Sequence, residues 1–150
     1  MRRRCFWFLW LLSGAFGLLS CLRLPDQPGE AQPYALVVFP PAMRLLALDT
    51  QPVDPRVHIQ ALRVPPGPHS LHWVYAGSST RHTGQQTAPF ALDIHAGHQY
   101  IFEPKTCGII WRPAVADHGL ISGYCTTHPC TETETRLPPK IPQTPKCNTD

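Results

Sequence analysis

Eighteen prolines, all after Cys21, set the strongest limit on what this chain can build. Proline fixes φ and lacks the N–H that a helix interior needs, so a chain interrupted this often cannot sustain long helices. An average chain carries about one proline in twenty residues. The runs left between these prolines are short, rich in β-branched and aromatic residues, and bounded by Pro and Gly, which predicts strands. A chain of 150 residues leaves about 130 after loss of a leader, enough for one small domain with tails.

Tyr34 to Phe39 is the first predicted strand, closed by Pro40-Pro41, and Arg44 to Asp49 is the second. Val57 to Val64 is a third; its apolar phase passes from Val57, Ile59 and Ala61 to Leu62 and Val64, so a bulge is expected near Ala61. Pro65-Pro66-Gly67-Pro68 forces a turn. In Ser70 to Tyr75, Leu71, Trp73 and Tyr75 share one face while His72 and Val74 share the other. Gly77 to Thr87 is a polar surface loop. Phe90, Leu92 and Ile94 alternate with Ala91 and Asp93, Ala96-Gly97 turns the chain, and Tyr100 to Glu103 is expected as the second arm of a hairpin. Cys107 to Arg112 is the last predicted strand, with Cys107, Ile109 and Trp111 on one side. About seven short strands spaced in this way predict an all-β, small antiparallel sandwich over residues 33–115. A Cys-containing, largely irregular tail is expected over 116–150. Thr131 to Asp150 has little that could be buried to offset its ordering entropy.

Val64-Pro65-Pro66-Gly67-Pro68-His69-Ser70-Leu71, followed by Phe90 to Tyr100 with its Ala96-Gly97 turn, resembles the core of PEGA-type surface-layer and lipoprotein domains. The resemblance runs from Arg44 to Glu103. It implies an immunoglobulin- or transthyretin-like sandwich used as an envelope binding or spacer module. The literal Pro-Glu-Gly-Ala and the Gly-Tyr pair after the second strand are absent.

The other end of the chain says where this body goes. Arg2-Arg3-Arg4 give a positive start, Cys5 to Leu19 are almost wholly apolar, and the small Ser20 precedes Cys21, the layout of a cleaved secretory signal over residues 1–20. Leu18-Leu19-Ser20-Cys21 resembles the lipobox of bacterial lipoproteins, which implies that Cys21 becomes the diacylated N-terminus. Leu22, where the family uses aspartate for inner-membrane retention, implies the periplasmic face of the outer membrane. The residues alone leave three alternatives: an uncleaved anchor over residues 5–22, ordinary signal cleavage without acylation, and the twin-arginine export route suggested by Arg3-Arg4-Cys5-Phe6. Leu22 to Gln32, with Pro25, Pro28 and Gly29, reads as an extended, mobile tether over residues 21–32.

The formal charge of +3 belongs to the leader, since removing Arg2, Arg3 and Arg4 leaves Lys+Arg equal to Asp+Glu. Nucleic-acid binding then lacks its electrostatic basis. The eight histidines are scattered through the mature part with no repeated spacing. Cys107, Cys125, Cys130 and Cys147 remain as an even number in an exported chain, which predicts two disulfides without choosing the pairing. The rival reading is a tetrahedral metal set of His118, Cys125, His128 and Cys130. Asp117-His118 beside Ser122 or Cys125 supplies acid–base and nucleophile types, but the chain has no Gly-x-Ser-x-Gly, His-Glu-x-x-His or phosphate loop. Non-catalytic binding is therefore expected, with no cofactor and with an envelope protein or the cell wall as partner. Trp73, Tyr75, Tyr100 and Trp111 are expected in the core rather than on a binding face. Arg81 and His82, at the tip of the Gly77–Thr87 loop, are the residues expected to make contacts.

Overall fold

The alternation around Trp73 organises two sheets. The computed structural model describes residues 24–54 and 56–130. The first sheet has the order β4-β1-β7-β8 and the second β3-β2-β5-β6. The strands are β1 (Ala35–Val38), β2 (Met43–Leu48), β3 (Gln51–Pro52), β4 (Ala61–Val64), β5 (Gly67–Tyr75), β6 (Phe90–Ile94), β7 (His98–Cys107) and β8 (Ile110–Leu120). One helical turn, α1 (Tyr124–Thr127), follows. This is the expected small all-β sandwich, with all strand pairs antiparallel except β1 with β7, which is parallel. Among the described residues no helix is long and apolar enough to cross a membrane.

Period two decides what is buried. Leu71, Trp73 and Tyr75 point inward from β5, and Ala35 and Val37 do so from β1. Trp73 is fully buried, with ring centroids of Phe102, Phe90 and Phe39 at 4.7, 6.0 and 6.3 Å. Tyr100 and Trp111 are buried too, so all four aromatics expected in the core are found there. Such clustering excludes water from the space between the sheets and contributes beyond the area it buries.

Three strand expectations are corrected. Only Ala61–Val64 of the third predicted strand is paired in a sheet, and the bulge near Ala61 is not formed; Val57 and Gln60 are bends with irregular backbone between them. The register shifts lie at Leu45/Ala47 and His98/Tyr100. Secondly, Ala96-Gly97 does not close a hairpin: β6 pairs with β5, while β7 lies in the other sheet beside β1 and β8. The chain crosses between layers here, and Gly97 (φ 75°) is required, because an added Cβ would meet Tyr124 and Leu120 at 2.6 and 2.8 Å.

Thirdly, Cys107 to Arg112 is a hairpin rather than a strand. Gly108, with φ 63°, makes the two-residue turn with Ile109, which is 76% exposed at the tip. The chain then continues as β8 to Leu120, well past the expected boundary at 115. Pro113 is tolerated because β8 is an edge strand, and its Cα partner is Pro104, in a part of β7 that β1 does not reach.

The expected tether is also different where it is described. Pro25 is buried, the Asp26 N–H donates to Gln51 Oε1 at 3.0 Å, and the Gln32 N–H donates to the Gly29 carbonyl at 2.9 Å. His128 Nε2 donates to the Glu30 carbonyl at 2.9 Å, and the Tyr34 N–H donates to the Tyr124 hydroxyl at 3.1 Å. Tyr124 and His128 stack at 4.4 Å, with Tyr34 edge-on to both. This clasp fastens the start of the body to its end. It sits at the pole where β1 and β7 begin, and the Gly108-Ile109 turn marks the opposite pole.

Candidate functional site

The Ile109 pole carries an open cleft of about 690 Å³ between the two edge strands β6 and β8. Pro89 and Phe90 form one bank, and Ile110, Trp111 and Pro113 the other. The walls are chiefly apolar. Ile110 is 44% exposed beside the more exposed Ile109, an unusual solvent position for two large aliphatics in sequence.

The loop that shapes one bank is folded on β5 rather than free in solvent. Tyr75 N–H donates to the Gln85 carbonyl and Gly84 N–H to the Tyr75 carbonyl, each at 2.9 Å, while Thr87 N–H donates to the Trp73 carbonyl at 3.0 Å. A bridge joins Val74 to Gln86. Gln85 then ties the two sheets: its Nε2 donates to the Arg81 and Ile109 carbonyls at 2.9 and 3.0 Å, and its own carbonyl accepts from Trp111 Nε1 at 3.0 Å. The Trp111 ring packs on Tyr75 with centroids 5.5 Å apart. Both banks are thus held in place by backbone ladders and one amide side chain, a pre-formed apolar site with a polar rim.

Of the two contact residues expected on this loop, Arg81 is exposed at its tip, but His82 is not available. His82 is buried edge-on against Tyr75 at 5.7 Å, because the turn at Ser79, closed by the His82 and Thr83 N–H groups, folds it inward. The cleft residues Phe90, Ile110 and Trp111 were read from the sequence as core or strand positions. Their gathering depends on two edges from different sheets meeting, which no local pattern records.

Two of the four residues in the metal reading are bonded to each other. Cys125 and Cys130 are joined in a disulfide, so their sulfurs are not thiolates. His128 is spent on Glu30 and on Thr127, and His118 lies exposed on β8. Among the described residues no group of three or more His, Cys, Asp or Glu is placed to hold a metal ion. Cys107 is disulfide-bonded as well, to a partner outside the described residues. Cys21, the expected lipid site, and Cys147 both lie outside them.

Asp117 and His118 do not form a pair, since neighbours on a strand face opposite sides; Ser122 is exposed and Cys125 is oxidised. Asp117 instead faces His98, whose Nδ1 lies 3.0 Å from both carboxylate oxygens, and it accepts the Gly119 N–H at 2.8 Å. Sequence reading missed this buried pair. The available signal was phase: His98 alternates with Tyr100 and Phe102 on β7, and Asp117 with Val115 and Pro113 on β8, all of them buried. His98 Nε2 is buried and has no hydrogen-bond partner among the described residues. The pair joins the start of β7 to the end of β8.

Beside it, burial pushes the Tyr100 hydroxyl up to about 12, with the His95 N–H bond opposing and the Asp117 and Asp93 charges reinforcing the rise. The folded value lies above the unfolded one of about 10, so the stability this group contributes is complete below pH 10. It is lost as pH climbs from about 10 to 12 and the unfolded chain ionises first. Denaturation curves across that window are expected to show stability falling, and Tyr100→Phe to flatten the fall. An equally steep fall in the variant would place its cause elsewhere.

The chain matches no protein-family model, no curated protein and no solved structure among those compared.

Proposed function

We propose that this chain is a lipid-anchored component of the bacterial cell envelope that acts by binding another envelope protein rather than by chemistry. The observation that carries the reading is the rigid apolar cleft at the Ile109 pole, framed by two edge strands and by exposed Ile109 and Ile110. Edge strands and contiguous apolar surface are what a soluble body normally covers, and one left open marks a place of association. The leader supports the location: a positive start, an apolar run and Ser20-Cys21 fit export and acylation at Cys21. The Cys125–Cys130 disulfide fits an oxidising compartment such as the periplasm. The resemblance to PEGA-type domains fits the same role.

A photoreactive residue placed at Ile109 in growing cells tests this. The expected product is one dominant adduct, identified by mass spectrometry as an envelope protein, and it should be missing when the same probe replaces exposed His118 at the far end of β8. Equal adducts from both positions, or none from Ile109, would remove the cleft pole as the binding face.

A further inference from the structure

We infer that the cleft is filled by an extended segment of the envelope partner, which adds a strand to the free edge of β8 with apolar side chains facing inward and a carboxylate facing outward beside Arg112. This deepens the binding role proposed above and rests on it.

Two prolines fix which backbone groups β8 leaves open. Residues facing each other across an antiparallel pair alternate between exchanging two N–H···O bonds and exchanging none. Pro104 lies opposite Pro113, and neither has an N–H to exchange, so theirs is a pair of the second kind. The register is unbroken from Tyr100 with Asp117 to Cys107 with Ile110, so Trp111, Pro113 and Val115 turn their backbone groups away from β7, while Arg112 and Ala114 turn theirs toward it. β8 is the last strand of its sheet. The open edge therefore offers N–H and C=O at Trp111 and Val115, and C=O alone at Pro113; among the described residues no other strand or loop bonds to them. Pairing through the main chain is how extended peptides join an exposed sheet edge.

Side chains and charge then define the segment. Residues directly opposite in a ladder point to the same face, so those opposite Trp111, Pro113 and Val115 face inward, where Trp111 and Pro113 form one wall of the cleft and Pro89 and Phe90 the other. Aliphatic or aromatic side chains suit that space. Those opposite Arg112 and Ala114 face outward, on the side that exposes Arg112. Arg112 has Lys105 directly across from it in β7, and like charges so placed repel. Glu103 holds Lys105 at 3.0 Å, and among the described residues no carboxylate pairs with Arg112. Arg81 brings another positive charge to the same mouth, since its carbonyl and that of Ile109 both accept from Gln85 Nε2. An acidic side chain on the added strand offsets this excess, at a rim where charge selects partner and register. A basic one would meet Arg112 and Lys105 together.

Amide exchange followed by NMR on the full-length protein tests this with a short synthetic peptide alternating valine and glutamate, and with its counterpart carrying lysine for glutamate. The glutamate peptide is expected to slow exchange about tenfold at Trp111 and Val115, while Arg112 and Ala114, already bonded to β7, stay unchanged. The lysine peptide should leave all four as they were. Arg112→Glu should reverse the preference between the peptides and lower the Ile109 photoadduct in cells about tenfold, and Arg112→Lys should restore both. Equal protection at all four amides, or none with either peptide, would overturn strand addition, and a persisting Ile109 adduct would then leave the envelope-binding role standing. An Ile109 adduct between two copies of this chain would overturn it in favour of self-association. Absence of any Ile109 adduct would sink the added strand and the envelope-binding role together.

Discussion

Trp73→Ala is expected to cost about 3–5 kcal/mol, the range for emptying a fully buried aromatic site. Trp73 contributes no surface to solvent and touches Phe39, Phe90 and Phe102 from both sheets, so no neighbour can collapse into the space without moving a strand. A small domain holds only about 5–15 kcal/mol in total, and the change would leave a protein close to its unfolding threshold. The check is a urea midpoint measured with the disulfides intact. Trp73→Phe, which keeps most of the ring contacts, should lose much less. A loss below about 1 kcal/mol in the alanine variant would mean the two sheets are not joined through this residue.

The second large effect concerns location. Cys21→Ser removes the thiol to which the proposed diacylglyceride would attach, and two acyl chains are what make lipid anchoring stable. Palmitate incorporation is expected to disappear, and the protein to move almost entirely from the membrane pellet to the soluble periplasm. If the variant stays in the pellet with the leader attached, residues 5–22 act as an uncleaved anchor and the lipoprotein reading is wrong. The measurement does not depend on the cleft, so the two halves of the proposed function can fail separately.

The sequence carried the sandwich because period two is a local signal. Leu71, Trp73 and Tyr75, then Phe90, Leu92 and Ile94, name their own inward face. It carried much less about where strands end and which sheet they join. Ile109-Ile110-Trp111 has the composition of a strand, yet one positive-φ glycine before it turns the run into a hairpin tip. Pro113, Asp117, His118 and Gly119 have the composition of a loop, yet they form the longest strand because an edge tolerates proline and His98 satisfies the buried carboxylate. The Ala96-Gly97 turn was visible, but whether it closes a hairpin or crosses between layers depends on contacts with Leu120 and Tyr124 that lie far along the chain. The cleft was illegible for the same reason: Phe90 and Trp111 meet only after both sheets have formed.

The parallel pairing of β1 with β7 has a mechanical consequence. β1 receives the chain from its N-terminal side, and β7 delivers it to the opposite pole, with Leu36, Val37 and Val38 in register with Gln99, Tyr100 and Ile101. With the proposed anchor at Cys21 holding the start of the chain, a load on the far pole would pull these two strands past each other. Their cross-links are then strained side by side in shear and must give way together, where a hairpin pulled from its open end would unzip one rung at a time.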